Sequence, residues 1–261
     1  MARVHLFEFE DQSWFPSVLR EAMTDCMSYL GEMTRVPYLD FVKRLQPAMA
    51  ACGAERLVDL CAGGGGPSWT ISQMLTEATG KPIPVLLTDL YPNHKRWERL
   101  REISSGITDF VTQPVDATQV PASLSGFRLV CSGFHHLRPE QARRVLADAV
   151  KHRQGIAIWE GLERSWSCLL QLPLSFPFLF LIAPFVKPFR LSRLFFTYVV
   201  PAVPLCLLWD AFVSSLRVYS PAEMRELVAS LPESDYVWDI GPSRTPGAAR
   251  SSTYLIGYPR S

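Results

Sequence analysis

The sequence carries no excess of charge of either sign, with 26 Lys and Arg against 25 Asp and Glu. A broad basic face for tracking a phosphate backbone is thereby excluded, and no nucleic-acid partner is expected. Paired cysteines are lacking too: the six, at 26, 52, 61, 131, 168 and 206, show no CxxC spacing. No metal site is expected, and the thiols read as the reduced cysteines of a cytoplasmic protein. The first residues lack the charged-then-apolar order of a secretory leader. No Gly-Lys-Ser/Thr follows the glycine-rich stretch, which excludes a phosphate-cradling P-loop. There is no GxGxxG, so a nicotinamide-dependent oxidoreductase is disfavoured.

At 261 residues and 48% hydrophobic content, what is present suffices for one main core with appended pieces. From Glu55 to Glu160 short apolar runs alternate with helical stretches, the pattern of successive βα units and a parallel sheet. The spacing predicts strands at Arg56 to Cys61, Val85 to Asp89, Thr108 to Pro114, Phe127 to Ser132 and Gly155 to Glu160. Crossover helices are expected at Trp69 to Thr79, Lys95 to Ser104 and Pro139 to Lys151, the last opening with a proline. Ahead of the sheet, Asp11 to Cys52 predicts two or three helices interrupted at Pro16 and Pro37. Near the end, Ser220-Pro221-Ala222-Glu223 reads as an N-cap and acidic first turn of a helix through Leu231. Two closing strands, Tyr236 to Ile240 and Thr253 to Tyr258, flank a Gly/Pro/Ser/Arg loop.

Between Glu160 and Ser220 the pattern differs. Leu169 to Val186 is uncharged, residues 187–193 form a basic turn, and Leu194 to Trp209 is uncharged again, which lays out a hairpin of two apolar arms. Each arm barely reaches the roughly 18 to 20 apolar residues that cross a bilayer, and prolines at 173, 177, 184, 201 and 204 interrupt both. Buried helices apolar all round, a substrate-enclosing cap and a shallow membrane-dipping element all stay open. Arg190 and Arg193 at the tip would suit anionic headgroups. An Asp210 to Arg217 ion pair is the simplest account of two charges beside so apolar a stretch, with substrate contact the alternative.

The chemistry concentrates where an apolar strand ends in an acid and a glycine-rich turn opens a helix: Val58-Asp59-Leu60-Cys61-Ala62-Gly63-Gly64-Gly65-Gly66-Pro67. Glycines let a ligand approach the backbone, and the helix N-terminus offers donors and a positive dipole. That device does not by itself name the ligand. With Asp59, then Cys61, Gly63 and Gly65 in place of GxGxG, the stretch resembles the first motif of the class I, Rossmann-like S-adenosylmethionine-dependent methyltransferases of small-molecule type. Cys61 stands where the family has its first glycine. Acids after the second and third strands, Asp89 and Asp116, follow in the family's order, as does Phe134-His135-His136-Leu137 after the fourth.

The resemblance implies an α/β fold, a Rossmann-like mixed seven-stranded sheet with helices on both faces, N-terminal helices and an apolar helical insertion after the fifth strand. It divides the chain into an N-terminal helical lid (1–54), a cofactor-binding domain (55–160 and 220–261) and an apolar cap (161–219). It further implies S-adenosylmethionine as cofactor. The backbone of Ala62 to Gly65 would lie against its methionine part, whose ammonium Asp59 contacts directly or through water. Asp89, with Leu90 beside it, would take the ribose hydroxyls, and Asp116 with Ala117 the adenine. Ser132 and Phe134 would face the cofactor at the sheet's carboxyl edge. His135 and His136 are candidate general bases or structural residues. Glu160, ending the fifth strand, would orient a substrate group or cap the next helix.

Methyl transfer demands mainly an aligned nucleophile in a water-poor site, because the sulfonium is already a good leaving group. The Phe-, Leu-, Pro- and Trp-rich insertion predicts a hydrophobic small molecule or lipid as acceptor. A different class also stays open: a membrane-associated binding or structural protein of methyltransferase-like fold without turnover, contacting the bilayer through residues 169–209.

Overall fold

The computed structural model describes residues 1–33, 35–244 and 251–260. Its centre is a seven-stranded sheet of order β3-β2-β1-β4-β5-β7-β6. Strands β1 (Leu57–Asp59), β2 (Val85–Leu87), β3 (Thr108–Phe110), β4 (Phe127–Cys131) and β5 (Ile156–Glu160) run parallel, and β7 (Ser251–Pro259) is antiparallel to β5 and to β6 (Tyr236–Arg244). The mixed seven-stranded sheet is as expected. Every residue of β1, β4 and β5 is buried, which is why these strands read as mostly apolar rather than alternating, the exception within β4 being Arg128, paired with Asp148 at 2.7 Å.

The first three strands stop two to four residues earlier than the apolar pattern predicts, because pairing ends where the chain splays into the turns that carry the acids. The closing pair is longer than predicted, its register unbroken from Tyr236–Pro259 to Arg244–Ser251. Gly241 and Pro242, read as loop, lie in β6, an edge strand where proline's missing N–H is tolerated. The middle of the expected Gly/Pro/Ser/Arg loop, 245–250, lies outside the described residues.

Helices cover both faces. On one, α2 (Leu39–Ala51), α3 (Gly66–Thr79) and α4 (His94–Ile103) bury Phe41, Leu45, Ile71 and Trp97 against Leu57, Leu87 and Leu129. On the other, α5 (Pro139–Lys151) and α9 (Pro221–Ala229) bury Val145, Leu146 and Met224 against Val58, Val130 and Ile158. The Ser220 hydroxyl and the Glu223 carboxylate cap α9 reciprocally.

A third cluster joins α1 (Ser17–Met33) to the insertion: Phe15, Ala22, Met23 and Cys26 pack with Ile182, Val186, Val203 and Leu207. The insertion consists of α6 (Trp166–Ile182), a short α7 (Leu191–Leu194), a π turn over Phe195–Val199, and α8 (Ala202–Arg217) lying against α6. Pro173 and Pro177 do not break α6, whereas Pro201 directly precedes α8. Among the described residues no single helix is long and apolar enough to cross a membrane.

The tip cations differ from expectation. Arg193 is fully buried, donating to the carbonyls of Ala183, Val186 and Pro188 and pairing with Asp25 at 3.3 Å. Arg190 pairs with Glu21 at 2.9 Å and Asp25 at 3.0 Å. Both are committed to α1, so neither is free for a headgroup.

Candidate functional site

Strand β1 delivers Asp59, and the chain then turns through Leu60–Gly65 into α3. Gly63 (φ +48°) and Gly65 (φ +75°) hold left-handed backbone that side chains resist. Gly64 and Gly66 have a different reason. A Cβ at Gly64 would lie 1.8 Å from the Ser28 hydroxyl, and one at Gly66 2.7 Å from the Ser28 carbonyl oxygen. Helix α1 therefore rests directly on the turn, and half of the glycine run serves this close approach. The Gly63 N–H donates to the Asp89 carboxylate at 2.9 Å, and the Gly63 carbonyl accepts the Trp97 indole N–H at 2.9 Å. Arg96 bridges the Gly64 carbonyl (3.4 Å), the Glu32 carboxylate (2.6 Å) and the Lys187 carbonyl at the insertion's tip (3.1 Å).

The acids converge at this turn. Asp59 is only 2% exposed, and burial pushes its carboxyl up to about 7, against the pull of the Ser68 hydroxyl and the Cys61 N–H. Burial also raises Asp89, opposed by the Tyr91 and Gly63 N–H groups. Asp116 is exposed and accepts the Thr118 N–H at 2.8 Å. Burial drives the Cys61 thiol well up, and the charges of Asp89, Asp59, Glu160 and Asp116 each push it further. Carboxylates following β1, β2, β3 and β5 thus focus a negative field on one point. Gly63, Leu90, Tyr91 and Asp116 form an exposed ledge beside it. Two cavities, of about 320 and 310 Å³, lie away from the ledge, one between α6 and α8 and one beside Arg164 and Tyr219.

After β4, Ser132 takes φ +51° and its hydroxyl accepts the Gly161 N–H at 3.3 Å. Gly133 passes so close to the glycine turn that a Cβ would lie 2.9 Å from that of Cys61. The 3₁₀ turn Phe134–His136 follows. Buried Glu160 accepts twice from His135, from its backbone N–H at 3.0 Å and its Nδ1–H at 2.6 Å. With Nδ1 the donor, Nε2 carries the lone pair. Among the described residues that atom has no hydrogen-bond partner; it is buried, 4.0 Å from the Glu8 carboxylate.

The neighbouring His136 is held differently. Burial opposes its charge, but the Asp11 hydrogen bond (3.1 Å) and the charges of Glu8 and Asp11 outweigh burial and raise it to about 9. Buried Arg217 pairs with Glu8 (3.1 Å) and Asp11 (2.9 Å) and donates to the Leu6 carbonyl. Arg3 donates to the carbonyls of His135, Leu137 and Arg217. The segment 3–12 is therefore strapped across both histidines. Glu8, His135 and His136 bring three metal-ligating groups within 4.8 Å of one another. The Arg217 guanidinium already neutralises the carboxylates there, and it would repel a second cation.

Several expected roles change. The Phe134 ring is fully buried against Tyr219, and Ala117 is buried in the same core. Asp210 and Arg217 do not pair: Asp210 accepts the N–H groups of Phe9 (2.7 Å) and Glu10 (3.2 Å), while Arg217 serves Glu8 and Asp11. The sequence alone assigns no site role to Glu8, Asp11, Ser28 or Arg96. Only the acidic run Glu8-Phe9-Glu10-Asp11 could have drawn attention to the strap.

No protein-family model matches the chain, and no curated protein matches it. Among solved structures, it is similar to a protein assigned as an O-methyltransferase from Nostoc punctiforme PCC 73102, at a TM-score of 0.53 and 11% identity over 98% of this chain. It is also similar to NcsB1, an O-methyltransferase from neocarzinostatin biosynthesis in complex with S-adenosylmethionine and 2-hydroxy-5-methyl naphthoic acid, at 0.51 and 13% over 94%. The chain spans 64% and 58% of the length of those two proteins. A protein assigned as a Zn-dependent alcohol dehydrogenase from Rhodobacter sphaeroides gives 0.50 and 12%, over 92% of this chain and 98% of that one. At such identities the likeness concerns the fold, which hosts more than one chemistry. The chain has the seven-stranded, Rossmann-like fold of the class I methyltransferases.

Proposed function

We propose that this chain transfers a methyl group from S-adenosylmethionine to a heteroatom, most readily a hydroxyl oxygen, of a hydrophobic small molecule. The observation that carries the reading is that two carboxylates, Asp59 and Asp89, both close on the glycine turn, accepting the Cys61 N–H at 3.3 Å and the Gly63 N–H at 2.9 Å. A field of that sign favours a ligand with positive centres and opposes the pyrophosphate of a nicotinamide dinucleotide. S-adenosylmethionine, when bound, supplies an activated methyl on a sulfonium and carries an ammonium as well. Its bound presence in NcsB1 supports the same choice.

In this reading Asp59 faces the ammonium, Asp89 the ribose hydroxyls and Asp116 the adenine, with the backbone of Ala62 to Gly65 along the methionine part. His135 is the general base: its Nε2 takes the acceptor's proton, and Glu160 fixes the tautomer and steadies the resulting imidazolium. His136, already protonated at neutral pH, holds the strap instead. Because Glu8 stands 4.0 Å from Nε2, the strap must yield before an acceptor reaches the base.

Calorimetry with S-adenosylmethionine and with NADH tests the assignment. S-adenosylmethionine should bind, Asp89→Ala should weaken it at least about tenfold, and NADH should give no heat. Binding of NADH without S-adenosylmethionine would overturn it. Mass spectrometry of what copurifies then identifies the acceptor class.

A further inference from the structure

The insertion leaves one face uncovered. Along α6, Trp166, Leu170, Leu174 and Leu181 form a single exposed stripe, the middle residues about three-quarters exposed. Beyond it Phe185, Phe189 and Leu191 continue the surface, and the π turn adds Phe195, Tyr198 and Val199. The opposite side of α6 is packed, with Cys168, Leu172 and Ile182 buried. Exposed large apolar side chains gathered in one segment in this way mark an interaction surface.

Its charge is equally specific. Between Arg164 and Asp210 the only charged residues are Lys187, Arg190 and Arg193, and no acid occurs. The two arginines are spent on Asp25 and Glu21, which leaves Lys187 exposed between Phe185 and Phe189. The acids at the tip, Glu21 and Asp25 of α1, are already paired with the two arginines, so a two-fold contact with a second copy would press two Lys187 side chains onto one apolar face without a free acid of the insertion to meet them. A bilayer with anionic headgroups answers both features: hydrocarbon for the stripe, phosphate for the cation. The pair Leu191–Val199 and Ala202–Arg217, bent by 79°, is apolar enough for a re-entrant span by length and composition only, and α8 buries one side against the rest of the fold.

We propose that the face formed by α6, the 185–191 tip and the π turn docks the protein onto an anionic lipid bilayer, lying in its interface without spanning it. The inference does not depend on the methyl-transfer reading. It is tested by flotation of the full chain with vesicles of phosphatidylcholine alone and of equimolar phosphatidylcholine and phosphatidylglycerol. The wild type should float with the anionic vesicles, and Leu174→Glu with Leu181→Glu should weaken partition by at least about tenfold. Lys187→Glu should weaken it on anionic vesicles only. Thermal melts establish that these exposed variants remain folded. A wild type that floats with neither vesicle, or a double variant that floats as well as wild type, would overturn the proposal. So would a dimer that the double variant dissolves, in the absence of flotation, because a second copy would then cover the face.

Discussion

Asp59→Asn is expected to stabilise the free protein while weakening its cofactor. The carboxyl stands at about 7 in the folded chain against an ordinary 3.8, because burial penalises its charge. This is an acid with a raised folded value, so below pH 3.8 it contributes nothing. As pH rises towards 7 the charged form costs the folded state progressively, reaching on the order of 4 kcal/mol above pH 7. The neutral amide removes that cost and keeps the shape and the acceptor for the Cys61 N–H. Urea unfolding should therefore show a gain of a few kcal/mol at pH 8, shrinking by pH 5. Calorimetry with S-adenosylmethionine should show the opposite, a loss of at least about tenfold, because a buried carboxylate–ammonium contact is worth more than about 1.4 kcal/mol. Wild-type binding near pH 7 should also release protons, read from heats in buffers of different ionisation enthalpy. A variant less stable than wild type at pH 8, or one that binds the cofactor equally well, would refute the reasoning.

Gly64→Ala should cost roughly 2 kcal/mol of unfolding free energy, since its methyl would enter the space of the Ser28 hydroxyl, and Ser28→Gly should recover part of it in a double-mutant cycle. Glu160→Gln should slow methyl transfer to a phenolic acceptor by about 100-fold, leaving S-adenosylmethionine affinity within about twofold; equal losses in both would move Glu160 from the base to the cofactor. The raised His136 contributes stability that is complete below about pH 6.5 and lost as pH rises through about 9. Allowing for its partial exposure, His136→Gln should flatten that slope by about 1 kcal/mol in unfolding measured across the interval.

The sheet was readable because β1, β4 and β5 are covered on both faces and hence apolar but for Arg128 and the acids Asp59 and Glu160 that end two of them, and the acids because each stands at or just after a strand's end, in order. The strap was not readable. Residues 3–12 have no period of either kind, and their partners, Arg217 and Asp210, lie some 200 positions away, fixed only by tertiary packing. The glycine run was half legible: left-handed φ at Gly63 and Gly65 is a local demand, whereas Gly64 and Gly66 answer to Ser28, on a helix that no local pattern brings there. Likewise Phe134 sits in a motif that touches cofactor in the resembled family, yet its ring completes the core under α5 and α9.

Arg96 ties together three parts of the molecule that sequence keeps far apart: the glycine turn, helix α1 through Glu32, and the carbonyl of Lys187 beside the uncovered face. One guanidinium thus acts as a rivet between the place where a methyl donor would sit and the place where a bilayer would press. By linkage, a surface that shifted the tip and with it the turn would change the affinity of the turn by the same factor that a filled turn changed adhesion to the surface. Cutting the rivet with Arg96→Leu would leave two events, loading and landing, that no longer inform one another.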